Sequence, residues 1–129
     1  MEQPPVIVAA ALVDHRRLLA GQRSRPPELA GRWEFPGGKV EPGESEPRAL
    51  ARECAEELGV QVRVHEFLDE VALPGQRRLR LWRASLVAGE PRALEHLQLR
   101  WLGLDELNDV DWLEPNRPLL ASVRPLLGP

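Results

Sequence analysis

GKVEPGESEPRALARECAEELGV, residues 38–60, is the segment on which the reading of this chain turns. From Ser45 the pattern is helical, with Ser45 placed as N-cap, Pro47 in the first turn where its missing N–H costs nothing, and Gly59 as the C-terminal stop. At about 100° per residue, Glu53, Glu56 and Glu57 fall within an arc of roughly 100° on one helix face. Leu50, Ala51, Cys54 and Leu58 centre roughly 120° away and supply a stripe to bury, which leaves the acids facing a cleft. Like charges at i, i+3 and i+4 repel by a few tenths of a kcal/mol per pair, so something should compensate them. A hard divalent cation prefers oxygen ligands of this kind. On spacing alone, a solvated helix face satisfies the pattern equally well.

Working outward, Val6 to Val13 is a continuous β-branched and alanine run, and Asp14-His15-Arg16 is a turn into Arg17 to Gln22, which together predict a buried hairpin. Ser24 to Gly31, with Pro26 and Pro27, reads as a loop leading into a short strand, Trp33-Glu34-Phe35, which Pro36-Gly37-Gly38 is expected to break. Val60 to Leu73 and Arg77 to Val87 read as two long strands around Pro74-Gly75-Gln76, with Leu79 and Leu81 on one face and Arg78 and Arg80 on the other. A further strand is expected over Leu97 to Leu102. The spacing of Leu119, Leu120, Val123 and Leu127 predicts a closing helix.

A chain of 129 residues fits one domain, residues 1–129, large enough to bury a core and too small for a second. The formal net charge of -3 argues against binding of nucleic acid polymers, which calls for a broad basic face. The only lysine is Lys39, and the remaining basic side chains are arginine. One cysteine, Cys54, rules out an internal disulfide or a cysteine-based zinc site and suits a reducing, cytoplasmic setting. The apolar run near the start is shorter than the roughly 20 residues that span a bilayer, so no membrane role is expected.

The grammar around the helix decides between ligand and solvated face. Gly38, five residues, Glu44, seven residues, Arg52-Glu53, apolar Cys54, any residue, Glu56-Glu57, any residue, Gly59 and apolar Val60 match every fixed position of the Nudix box. At about 7% per fixed letter, a chance match at a given start is on the order of 10⁻⁹. The chain is thereby identified as resembling the Nudix hydrolases. GRWEFPGGKVEPGES, together with the order of elements on either side, resembles the MutT-like branch over nearly the whole chain.

The resemblance implies an α/β/α sandwich around a mixed β-sheet, and water attack on phosphorus assisted by Mg²⁺, with Mn²⁺ able to substitute. It implies Glu56 and Glu57 as leading metal ligands and Glu53 as ligand or general base. Arg52 would orient a glutamate, the carbonyl of Gly37 would ligate metal, and Glu44 would stabilise the loop and helix start. Glu95, six residues before Trp101, matches the place of a further carboxylate, a metal or base residue, while an exposed loop acid is the plainer reading. His96 is read as a bystander. His15 and His65 form no nucleophile–base pair that sequence supports.

For substrate, the resemblance implies conversion of a nucleoside triphosphate to monophosphate and pyrophosphate by a monomer or homodimer, in the manner of nucleotide-pool cleaning. Arg23 and Asn116 match positions that contact substrate, Phe35 lies at the pocket wall, and Glu34, Pro36, Gly37 and Gly38 complete the expected binding strip. Asn carries donor and acceptor, so Asn116 suits the O6 and N7 edge of 8-oxoguanine, with helix capping as its plainer role. RPPELAGRWEFPGGK also resembles the branch acting on cytidine triphosphates, where aspartate often replaces this Asn, so 8-oxo-dGTP or dGTP ranks above CTP, dCTP or its methylated form. The four tryptophans, Trp33, Trp82, Trp101 and Trp112, are expected in the core. The rival readings are a hydrolase of sugar nucleotides or dinucleoside polyphosphates, and a non-catalytic binding module, for which an intact set of acids gives no reason.

Overall fold

A strand composed of apolar residues in both registers needs cover on both faces, and β1 (Val6–Asp14) receives it. In the computed structural model, which describes residues 5–128, Val8, Ala10 and Leu12 face a core that contains Ala49, Leu50, Cys54 and Leu58 of helix α1 (Glu46–Leu58). Ala9 and Ala11 face the opposite core, which contains Trp112, Leu119 and the buried side of helix α2 (Leu120–Leu127). The helices therefore sandwich the sheet, as expected. Ala49 rather than Ala51 completes the buried stripe of α1, since Ala49 is fully buried and Ala51 only half-buried.

β1 turns into β2 (Arg17–Gln22) with His15 at φ 50° and Arg16 at φ 62°, the paired left-handed residues of a tight hairpin turn. The hairpin pairs only at its closed end, Val13 with Leu18 and Asp14 with Arg17. Beyond that the two strands part. β2 continues into pairing with β3 (Trp33–Glu34) and β7 (Gln98–Leu102). On its other side β1 pairs in parallel with β6 (Arg78–Ala88), which pairs in turn with β5 (Gln61–Ala72), so the sheet is mixed. Leu79 and Leu81 of β6 are buried, whereas Arg78 is exposed and Arg80 half-buried, as the alternation predicts.

The glycines after β3 depart from the expectation of a simple break. Gly37–Lys39 form a short strand, β4, antiparallel to β1, with Gly37 opposite Ala9 and Gly38 opposite Val8. The missing side chain explains this: a Cβ on Gly37 would overlap the Val8 carbonyl oxygen. Pro36 joins the same seam, its carbonyl accepting the Ala10 N–H at 2.8 Å.

Helix α1 is bounded as the sequence indicates. Ser45 Oγ accepts the Arg48 N–H at 3.3 Å, and Gly59, at φ 71°, ends the helix with its N–H on the Ala55 carbonyl. The start of α1 is thus tied to the β4 loop and its acids are brought over β4. A Gly37→Ala substitution is expected to cost about 2 kcal/mol or more in urea denaturation, because backbone rather than a flexible side chain must yield. Unchanged stability would contradict the close approach of β4 to β1.

Candidate active site

Where β1 and β2 part, a cleft of about 520 Å³ opens, within the range of small-molecule sites. Helix α1 supplies one wall. Glu57 is buried, and its Oε1 accepts the Gly37 N–H at 3.3 Å, a single weak compensation for a carboxyl removed from water. Burial pushes the Glu57 carboxyl up to about 9, and repulsion from Glu34, Glu53 and Glu95 adds to the effect. Burial also raises Glu53, against the pull of its hydrogen bond from Arg52. The Glu53 carboxylate occupies the space that a side chain on Gly38 would take, so the glycine pair is what allows helix acids and sheet backbone to meet.

Arg52 holds this wall together. Its Nε donates to Glu44 at 2.7 Å, Nη2 to Glu44 and to the Lys39 carbonyl at 2.9 and 3.0 Å, and Nη1 to Glu53 at 3.0 Å. One planar guanidinium thereby links the loop, β4 and the acid face in fixed geometry, which a lysine point charge would not do. Glu44 also accepts the Glu41 N–H at 3.0 Å, and the Arg52 hydrogen bond holds its carboxyl down near 2. Both side chains brace the acids instead of reaching into the cleft.

The opposite wall comes from β3, the end of β2 and the approach to β7. Phe35 lies in the cleft wall, 5.2 Å from the buried Trp112 ring, and its N–H donates to Asn116 Oδ1 at 3.1 Å. Asn116 sits inside the 3-10 turn Glu114–Leu119 and caps nothing. Its oxygen accepts the Phe35 N–H with one of two lone pairs, and its NH₂ group has no hydrogen-bond partner among the described residues. Arg23 and Glu34 line the cleft as an ion pair at 2.9 Å, and Glu95 lines it from the loop before β7.

Two expected site residues lie elsewhere. Glu56 does not line the cleft: it is exposed, with its carboxylate 3.4 Å from Arg52 at the rim. Pro36 is buried in the seam between β1 and β4 and also does not line it. One residue was underrated. His96 is a buried lining residue whose Nε2 lies 3.0 Å from Glu34 Oε2, across 62 positions of sequence, and no local pattern announces such a partnership. His65, for its part, meets Ser85 Oγ at 2.7 Å on the β5–β6 strands, outside the cleft. Trp33 and Trp112 are buried as expected, whereas Trp82 and Trp101 are half-buried.

The acids fit a divalent cation on the chemistry of the set: Glu53, Glu57 and Glu95 share one cleft, where Glu95 raises the cost of charging both helix acids and Glu53 raises that of Glu57. Among the described residues no three such groups already converge as a closed cage. That arrangement suits an ion that keeps waters and takes phosphate oxygens from its substrate.

The NUDIX domain family model matches residues 1–123. The chain is 50% identical over 122 residues to a Mycobacterium tuberculosis protein provisionally named 8-oxo-dGTP diphosphatase 2, covering 92% of this chain and 86% of that protein. It is 35% identical over 123 residues to the CTP pyrophosphohydrolase of Escherichia coli K12, covering 93% and 91% of the two chains. The fold matches the crystal structure of a MutT NUDIX hydrolase from Burkholderia pseudomallei with a TM-score of 0.80 and 36% identity, covering 95% and 99%. With the family model spanning residues 1–123 and relatives at 50% and 35% identity matched over more than nine tenths of this sequence, the chain belongs to the Nudix hydrolase family.

Proposed function

We propose that this chain is a Mg²⁺-dependent pyrophosphohydrolase of nucleoside triphosphates, releasing the monophosphate and pyrophosphate. The observation that carries the reading is a single cleft with two chemically different walls: the acids of α1 over the β4 glycines on one side, and the Phe35–Asn116 contact backed by Trp112 on the other. A polyphosphate with its cation belongs at the first and a nucleobase at the second.

Nudix hydrolases work with a divalent cation, which when bound neutralises phosphate charge and activates water for attack on phosphorus. Glu53, Glu57 and Glu95 are the groups that would hold it, with the Gly37 carbonyl beside them and Glu56 available from the rim. Either Glu53 or Glu95 would accept the proton of the attacking water. Arg52, braced by Glu44, keeps Glu53 in place for that task. Arg23 would hold sugar or phosphate at the cleft mouth.

For the base, the free NH₂ of Asn116 calls for an acceptor, which guanine offers at O6 and cytosine at O2 and N3. We rank 8-oxo-dGTP or dGTP first, in line with the name of the 50% identical relative, and CTP or dCTP second, in line with the 35% identical one. The reading includes free nucleotides in the cytoplasm as substrates, no nucleic acid polymer as partner, and action as a monomer or homodimer. No helix among the described residues is long and apolar enough to cross a membrane.

Turnover with Mg²⁺ across canonical, oxidised and methylated triphosphates, ADP-ribose and diadenosine polyphosphates is expected to show cleavage of triphosphates, abolished by chelation. Cleavage of the last two alone would overturn the substrate class. Glu57→Gln keeps shape and removes charge, and is expected to lower kcat by at least about 100-fold. Stability gives a second signature. Because the folded-state value near 9 lies above the ordinary 4.5, the contribution of Glu57 is complete below pH 4.5 and is lost as pH rises toward 9. Metal-free wild type should therefore lose stability over that window in denaturant titrations, and Glu57→Gln should lose less, keeping only the smaller contribution of Glu53, which burial also raises. Wild-type turnover in the variant would reject the role given to Glu57.

A further inference from the structure

We propose that His96 is a positioning residue for substrate binding: it clamps Glu34, and Glu34 in turn holds Arg23 at the mouth of the cleft. The inference rests on the reading of the cleft as a triphosphate site, but its observations are separate from the helix acids.

Gly21 makes the clamp. In β2 it pairs with Glu34 of β3 on one side and Leu99 of β7 on the other. The His96 ring lies directly over it: a Cβ at position 21 would stand 2.6 Å from Cδ2 and 2.7 Å from Nε2 of that ring. The imidazole thus fills a slot that an absent side chain leaves open, and its side chain is 4% exposed.

Donor and acceptor logic then fixes the ring. A Glu34 carboxylate only accepts, so the 3.0 Å contact places the hydrogen on His96 Nε2. Nδ1 is buried without a partner, and a hydrogen there would be a donor with nowhere to go. The neutral Nε2–H tautomer satisfies both conditions.

Glu34 spends its other oxygen on Arg23, accepting from Nη1 at 2.9 Å, while Arg23 Nε donates to the Arg25 carbonyl at 3.0 Å. Two edges of the guanidinium are therefore anchored, and Nη2 has no protein partner among the described residues. A fork held in this way is suited to receive a phosphate or sugar oxygen. Released from His96, the Glu34 carboxylate is free to turn, and Arg23 loses the anchor that orients it. The consequence falls on substrate binding, with the acids of helix α1 on the opposite wall left in place.

Steady-state kinetics with 8-oxo-dGTP and dCTP test this in wild type, His96→Leu, His96→Gln, Arg23→Ala and the His96→Leu/Arg23→Ala double variant. His96→Leu is expected to raise KM about ten-fold, the scale of one hydrogen bond to a charged group, with kcat within about two-fold. His96→Gln, which can still donate to Glu34, should recover most of the loss, and His96→Leu should add nothing in the Arg23→Ala background. A fall in kcat at unchanged KM, or additive effects in the double variant, would overturn the proposal. Long-range ¹H–¹⁵N correlation of the wild-type imidazole provides a readout that no variant's folding can obscure: an Nε2–H tautomer is expected, and Nδ1–H would contradict the clamp. Wild-type turnover reports on the triphosphate reading itself, whereas the tautomer and the ratios between variants report on His96.

Discussion

A carboxyl group nearly out of water, with one weak N–H donor and three other carboxylates around it, is the constraint on which the site depends. Glu57 is that group. Left alone it stays protonated near neutral pH, because burial and the charges of Glu34, Glu53 and Glu95 all oppose ionisation. On the proposed function a divalent cation held by these acids would reverse that balance, and the unfavourable arrangement would be relieved when metal and polyphosphate bind. The glycines of β4 are part of the same device, since only they let the sheet backbone and the acids of α1 approach so closely.

Around that centre the cleft has two walls of different make. Arg52, tied to Glu44 and the Lys39 carbonyl, braces the acid wall with a planar fork of hydrogen bonds. The second wall is assembled from segments distant in sequence, with Asn116 bonded to Phe35 and Glu34 gripped between Arg23 and His96. The parting of β1 and β2 beyond their hairpin end creates the space between the walls. The mixed sheet and both helices are scaffolding for that gap.

Local physics made some of this legible in the sequence and left the rest hidden. Helix α1 could be bounded because Ser45 and Gly59 act on backbone within a few residues, and β1 because its apolar run declares cover on both faces. The fixed spacing of the box located the acid face before any fold was known. The pairing of β4 was missed, since Pro36-Gly37-Gly38 reads as a break until a neighbouring strand is present to receive it. An arc of helix face does not separate cleft from rim, so Glu56 could not be told from Glu57 by spacing. His96 was illegible for the plainest reason: what gives it a role is a glycine in another strand and a glutamate in a third.

The most direct test of this account is the proton balance of cation binding, measured by isothermal titration calorimetry with Mg²⁺ or Mn²⁺ at pH 7 in buffers of different ionisation enthalpy. With the Glu57 carboxyl raised to about 9, binding should release about one proton per site as the acid is forced to ionise. Binding of the cation with no proton released would show that Glu57 is already charged, and would contradict the claim that a buried, strained carboxyl is the core of the site.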